Sequence, residues 1–296
     1  MWVAKDHYAI EDMDFSIRST DVEFLELVRG YLGRFRVDDG PDGLTFQVDC
    51  GESRVLPGGK VLRPAANLFV GGLRIYCGPR WQDMAGRLID GLRDLLTTHT
   101  NEFVRLRAVG VVVNGRAWIL PSAPDPHLPA LAALLTRSGA GYLGDEIVKL
   151  DPILRHVHGI PLPILVDVSD LGHFPEVGGR PRRAGRIEGD QSRDMDARTP
   201  RRPIPLEDLG GRESPPVELG RIVFPVFRLG DVTRFEPVAA SEAVFLLMEA
   251  VLNAHVWGER ALLLARDLVE TVPVERLVIG SIPEAADLLM GEGVPA

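Results

Sequence analysis

The stretch from residue 104 to residue 148 constrains the fold of this chain most. Val104 to Val113 alternates at first and then becomes apolar, and Asn114-Gly115 follows it directly. An Asn-Gly pair between strand-like runs signals a two-residue hairpin turn, because both residues tolerate positive φ. Ala117-Trp118-Ile119-Leu120 then returns as a strand. A proline-rich loop leads into an apolar helix over Ala130 to Thr136, and Gly139 is placed to end it. Tyr142 to Val148 reads as the next strand. Strand, loop, helix and strand within roughly 30 residues is the size of one βαβ unit, so an α/β architecture is expected here.

Composition narrows the classes of function. The 296 residues carry a formal net charge of −9, which argues against general affinity for nucleic acid or anionic lipid because phosphates are repelled. A local basic patch is still compatible with that total. Two cysteines, Cys50 and Cys77, are too few for a disulfide framework or a four-cysteine zinc site, and both are expected to be buried as small apolar residues. Residues 1–7 lack the layout of a signal peptide and no apolar run is long enough to span a bilayer. The expectation is a cytoplasmic protein that binds neither membrane nor nucleic acid. Lys5, Lys60 and Lys149 are the only lysines, so any mechanism that needs one has three candidates.

Residues 1–100 read as a small α+β module. Phe15-Ser16-Ile17-Arg18 alternates as a strand does. Thr20 and Glu23 make a capping-box pattern ahead of Val22, Leu25, Val28 and Leu32, which share one helical face. Leu44 to Val48 alternates, Leu56 to Leu62 reads as a hairpin turn, and Asn67 to Tyr76 adds strand-like sequence. Met84, Leu88, Leu92 and Leu95/Leu96 form one stripe of a helix. Residues 101–296 form the second domain. Within it Gly172 to Gly220 holds no period and is rich in Gly, Pro, Arg and acidic residues, so a long flexible insertion is expected. Beyond it come a strand over Ile222 to Phe227 and a helix from Ser241 through Trp257. A helix over Arg260 to Val269, a strand over Val274 to Ile279 and a closing helix capped by Ser281 and Glu284 complete the chain.

A nucleotide-binding βαβ unit needs glycines and a lysine in the loop after its first strand, followed by a Ser/Thr hydroxyl for Mg²⁺. The chain resembles the HPr kinase C-terminal family, especially its members from peptide-modification gene clusters. Gly115-Arg116-Ala117-Trp118-Ile119-Leu120-Pro121 is similar to that family's leading strand. Leu131-Ala132-Ala133-Leu134-Leu135 is similar to its helix, and Gly139-Ala140-Gly141-Tyr142-Leu143-Gly144-Asp145-Glu146 to its metal strand. Val223-Phe224-Pro225 and the segment from Ser241 to Met290 resemble its later elements. The resemblance implies an HPr-kinase-like P-loop domain behind the small N-terminal module.

The phosphate loop departs from the family pattern. Ser122, Asp125 and His127 stand where the family has glycines, Leu128 stands for the lysine, and Pro129-Ala130 for the Ser/Thr pair. Pro124, Pro126 and Pro129 lack N–H groups, and Asp125 would repel phosphates. The loop is therefore expected not to bind ATP in the family's way, and no cofactor or metal is expected. Arg107 is the nearest equivalent of the family's catalytic histidine. Asp145 and Glu146 are either a residual magnesium pair or an acidic turn or cap.

The implied function is that of a degenerate member, a pseudokinase that binds a protein or peptide partner in a peptide- or natural-product-modification pathway. The alternative is an active phosphotransferase with nucleotide held around Asp145, Glu146 and loop arginines. A sensor of a small ligand in the vacated cleft is a third class, and homo-oligomerisation is left open.

Three further constellations carry weaker signals. His156-Val157-His158 with His173 suggests transition-metal ligands, against a plain edge strand. Ser122, Asp125 and His127 suggest a hydrolase, but nothing resembles Gly-x-Ser-x-Gly. Arg180, Arg182, Arg183, Arg186, Arg201 and Arg202 suggest an acidic partner or phosphate groups, against a mobile solvated loop.

Overall fold

The computed structural model describes residues 2–40, 43–51, 54–55, 61–62, 65–78, 81–97, 102–175, 177 and 200–292. The protein is α/β with mixed sheets. It divides into two compact units, Met1–Leu96 with Phe174–Pro203, and Thr97–His173 with Ile204–Ala296. The first unit is thus built from two separate stretches of chain, where the sequence suggested one. Among the described residues no helix is long and apolar enough to cross a membrane.

The first unit contains β1 (Ala4–Ile10), β2 (Met13–Ser19), α1 (Val22–Leu32), β3 (Arg36–Val37) and β4 (Leu44–Asp49). After these come β5 (Arg54–Val55), β6 (Val61–Leu62), β7 (Ala66–Val70), β8 (Leu73–Gly78) and α2 (Trp81–Leu96). Six strands form a sheet in the order β3-β1-β2-β4-β7-β8, with β2 and β4 parallel and joined through α1. The tip expected at Leu56 to Lys60 lies outside the described residues, although β5 and β6 pair as antiparallel arms.

Tyr8, Phe15, Ile17, Phe46 and Val48 are buried, as are Phe24, Leu25, Val28 and Leu32 of α1 and Met84, Leu88, Leu92 and Leu96 of α2. Two expectations for α1 change. Asp21, not Thr20, caps it by accepting the Glu23 N–H, while the Thr20 hydroxyl accepts from the Cys50 N–H at 2.9 Å. Val22 is exposed, and Phe24 takes its place in the core. Cys50 is buried as expected but Cys77 is exposed, because it sits on the edge strand β8.

The second unit opens with β9 (Val104–Val113), β10 (Arg116–Pro121), α3 (Leu128–Arg137), β11 (Gly141–Gly144), β12 (Ile147–Leu150), β13 (His156–His158) and β14 (Ile164–Asp167). A short strand, β15 (Arg201–Ile204), spans the point where the chain passes between units. The unit closes with β16 (Val217–Phe227), β17 (Arg234–Pro237), α4 (Ala240–Ala250), α5 (Ala254–Trp257), α6 (Glu259–Thr271), β18 (Val274–Ile279) and α7 (Ile282–Glu292). Within the expected insertion at Gly172 to Gly220, residues 178–199 lie outside the described residues. The part from 200 onward carries β15 and the start of β16, whose Pro203, Ile204 and Leu219 are buried despite the polar composition around them.

β9 organises this unit. The Asn114-Gly115 turn, with both residues at positive φ, folds β10 back along one edge of it. Its other edge carries β11 along its second half and β12 along its first. Tyr142 to Val148 is thus two strands, broken at Asp145-Glu146. β10 and β11 are both antiparallel to β9, so they run parallel to each other with β9 between them. β12 pairs with β13, β13 with β16, and β16 runs parallel to β10, which closes these pairings into a ring. Parallel β18 and then β17 extend the sheet from β16. Val104, Leu106, Ala108, Val148, Leu150 and Val157 share a core with Ala243 and Leu247 of α4 and Ala265 and Leu268 of α6.

Candidate functional site

The loop Ser122 to His127 joins β10 to α3, the position at which the resemblance expects a phosphate cradle. Its hydrogen-bonding groups are spent locally. The Ser122 N–H donates to the Arg107 carbonyl at 3.3 Å, and its hydroxyl donates to the Ala123 carbonyl at 2.6 Å. Asp125 folds the loop onto itself: its carboxylate accepts the His127 N–H at 2.9 Å and its carbonyl the Leu128 N–H at 3.4 Å. Pro129 has no N–H to offer. Leu128 and Pro129 are buried with Leu131 to Leu135, so Leu128, where the resemblance expects a lysine, packs in the core.

His127 is held from outside the loop. Its Nδ1 lies 2.9 and 3.1 Å from the two oxygens of Asp170, which sits in a 3-10 turn after β14. A carboxylate only accepts, so Nδ1 carries the proton when Asp170 is ionised. The ring also tilts against Phe227, with centroids 5.6 Å apart. The Ser-His-Asp reading fails on this geometry, since His127 pairs with Asp170 and the Ser122 hydroxyl turns to its neighbour's carbonyl.

Asp145 is 3% exposed and engaged on both oxygens. Oδ1 accepts from the Tyr142 hydroxyl at 2.8 Å and Oδ2 from the Leu165 N–H at 3.1 Å. It therefore ties the break between β11 and β12 to β14. Glu146 is half-buried, and its carbonyl accepts the Ala108 N–H at 3.2 Å. The backbone of Arg107 thus meets Ser122 directly and pairs with Ile147, beside Glu146. The fold brings Arg107, Ser122 and the Asp145-Glu146 turn to one end of the sheet.

The other sequence candidates separate. His156 and His158 lie on β13, and no group of three or more His, Cys, Asp or Glu side chains converges on a metal position among the described residues. His173 offers its carbonyl to Arg137 at 2.8 Å. Arg180, Arg182, Arg183 and Arg186 lie outside the described residues, while Arg201 pairs with Asp90 of α2. Sequence reasoning missed Asp170, Tyr142 and Leu165. The one available signal was the apolar run Ile164-Leu165-Val166 ending in Asp167, with a further carboxylate three residues on.

No family model matches the chain, and no curated protein matches it in sequence.

Proposed function

We propose that this chain is a catalytically degenerate HPr-kinase-like protein that acts by binding a protein or peptide partner in a peptide- or natural-product-modification pathway. One observation carries the reading. The loop after β10 is closed by its own Asp125 and by the His127–Asp170 pair, and Asp145 is consumed by Tyr142 and Leu165. A phosphate cradle needs several N–H groups aimed at one point and a carboxylate left for magnesium. Here those groups are bonded internally or replaced by proline and leucine. The β10–loop–α3–β11 crossover supports the HPr-kinase-like P-loop part of the reading. Phe245, Leu262 and Leu263 on α4 and α6 are exposed apolar side chains that a partner would cover in this reading.

Calorimetric titration with millimolar Mg-ATP or Mg-GTP should give no saturable heat. A radiolabelled-phosphate transfer assay against proteins encoded nearby should give no Mg²⁺-dependent product. Micromolar nucleotide binding, or transfer lost in Asp145→Asn, would replace this reading with an active phosphotransferase.

A further inference from the structure

α4 and α6 pack side by side over the core of the second unit and are joined through α5. The sides that they bury are narrow. α4 buries Ala243, Leu247 and Ala250, and α6 buries Ala261, Ala265 and Leu268. The larger apolar residues lie elsewhere on both helices. Val244 to Met248 is an unbroken apolar run of five residues in α4, of which only Leu247 is buried. A helix that is apolar on every side is one that other structure covers on every side. Yet Phe245 is 61% exposed, Leu262 47% and Leu263 49%.

Most charges bordering this face are already matched. Arg276 holds Glu242, Arg155 holds Asp267 at 2.6 Å, and Arg266 reaches Glu270 at 3.8 Å. Glu259 stands in the first turn of α6, where the positive end of the helix dipole favours it. Glu249 and Arg260 differ from these. Both are exposed and, among the described residues, neither lies within ion-pair distance of an opposite charge. Glu249 sits in the last turn of α4, at the negative end of its dipole, and Arg260 in the first turn of α6, at the positive end. Each charge is at the wrong end of its helix.

A second copy of this chain answers both features at once. In a twofold interface one patch meets itself, so a contact made by one copy is made twice. Laying α4 of one copy over α6 of the other covers the apolar residues of both helices. It also brings a carboxylate that disfavours its own helix end to a guanidinium that disfavours its own.

We infer that the exposed face of α4 and α6 is the interface of a homodimer in which two copies pack α4 against α6 about a twofold axis. Phe245, Leu262 and Leu263 form its apolar centre, and Glu249 of each copy pairs with Arg260 of the other at the rim. An apolar centre inside a polar rim is the ordinary anatomy of a protein interface. The inference rests on the proposed function in one respect: it names the occupant of the face assigned there to a partner.

Sedimentation velocity on the full chain, at micromolar concentrations and low ionic strength, tests it. The wild type should sediment as a dimer of the 32.4 kDa chain. Phe245→Asp should raise the dissociation constant at least tenfold. Glu249→Arg and Arg260→Glu should each weaken the dimer several-fold. An equimolar mixture of those two charge variants should recover it, because the mixed dimer regains two pairs of opposite charge. Circular dichroism checks that each variant is folded, and the mixture keeps the test open should Phe245→Asp fail to fold. A wild type that sediments as a monomer would overturn the inference. So would a dimer indifferent to Phe245→Asp, or charge variants that do not complement each other on mixing. Nucleotide titration reads the proposed function separately. A monomer that binds no Mg-ATP removes the dimer and keeps that reading, whereas a dimer that binds Mg-ATP does the reverse.

Discussion

Asp145 illustrates what one residue can and cannot disclose from its place in a sequence. Its position at a strand end and its carboxylate were legible. Its burial was not, because the Leu165 amide that it accepts is twenty residues further on. The same distance effect hid Asp170, which meets His127 across forty-three residues. The geometry sets apart two substitutions. Asp145→Ala leaves the Leu165 N–H and the Tyr142 hydroxyl facing a void, at a cost of about 2–4 kcal/mol. Asp145→Asn keeps an acceptor for Leu165, and its amide donates to the Tyr142 oxygen while that hydroxyl turns to the Leu162 carbonyl, already 3.3 Å away. It should cost about 1 kcal/mol, read from urea midpoints of the two variants. Cys50 gives a pH dependence. Burial first, and the Asp21 and Asp49 carboxylates after it, push its thiol up to about 12. In the unfolded chain a thiol ionises near about 8.5, so alkali favours unfolding through this group. Its contribution to stability is whole below that pH and is lost as pH climbs toward the folded value. Wild type should therefore lose more of its urea midpoint between pH 7 and pH 10.5 than Cys50→Ala does.

Among elements, local patterns read well where one neighbour dominates and poorly where two compete. The Asn114-Gly115 hairpin, α2 and β18 follow their periodicity because each has a single buried stripe or a single turn requirement. The stretch Tyr142 to Val148 looked continuous because its apolar residues are. It breaks because β11 and β12 share one edge of β9 and the chain must turn at Asp145-Glu146 between them. The expected helix through Trp257 stops at Ala250 for a comparable reason. Asn253 accepts the Arg105 N–H at 3.0 Å and donates to the Phe103 carbonyl at 2.9 Å, which pulls the chain out of helix. Glycines inside helices test the same competition between local and long-range terms. Replacing a helical glycine by alanine gains about 1 kcal/mol of propensity where space allows. A Cβ at Gly30 of α1 meets nothing within 4 Å, so Gly30→Ala should raise the melting temperature. At Gly86 of α2 the same methyl would overlap the Arg201 carbonyl oxygen. Gly86→Ala should therefore lower it, and thermal melts of the two variants should move in opposite directions.

For the whole molecule, the α/β class was legible because alternating strand and helix periods survive in any single stretch of sequence. The partition into units was not. A boundary near residue 100 follows from the strand and helix patterns, and the first stretch of the first unit ends at Leu96. The return of Phe174–Pro203 to the first unit has no local signature, since it depends on packing between segments separated by the whole of Thr97 to His173. Its described part seats on α2. The Arg201 carbonyl closes against Gly86, and the Arg201 guanidinium pairs with Asp90, a buried carboxylate that Arg87 reaches only at 3.5 Å. Removing one partner of a buried ion pair leaves the other charge desolvated, which is costly even when a weaker partner remains. A fragment ending at Thr97 lacks that partner and exposes the Gly86 face of α2. It should melt below a chain in which residues 174–203 are rejoined to residue 97 by a short flexible linker. The same comparison made with Asp90→Asn in both chains should narrow the gap, because the neutral amide no longer requires the guanidinium. Equal melting temperatures for the two parent chains would assign the stability of this unit to its sheet and two helices alone.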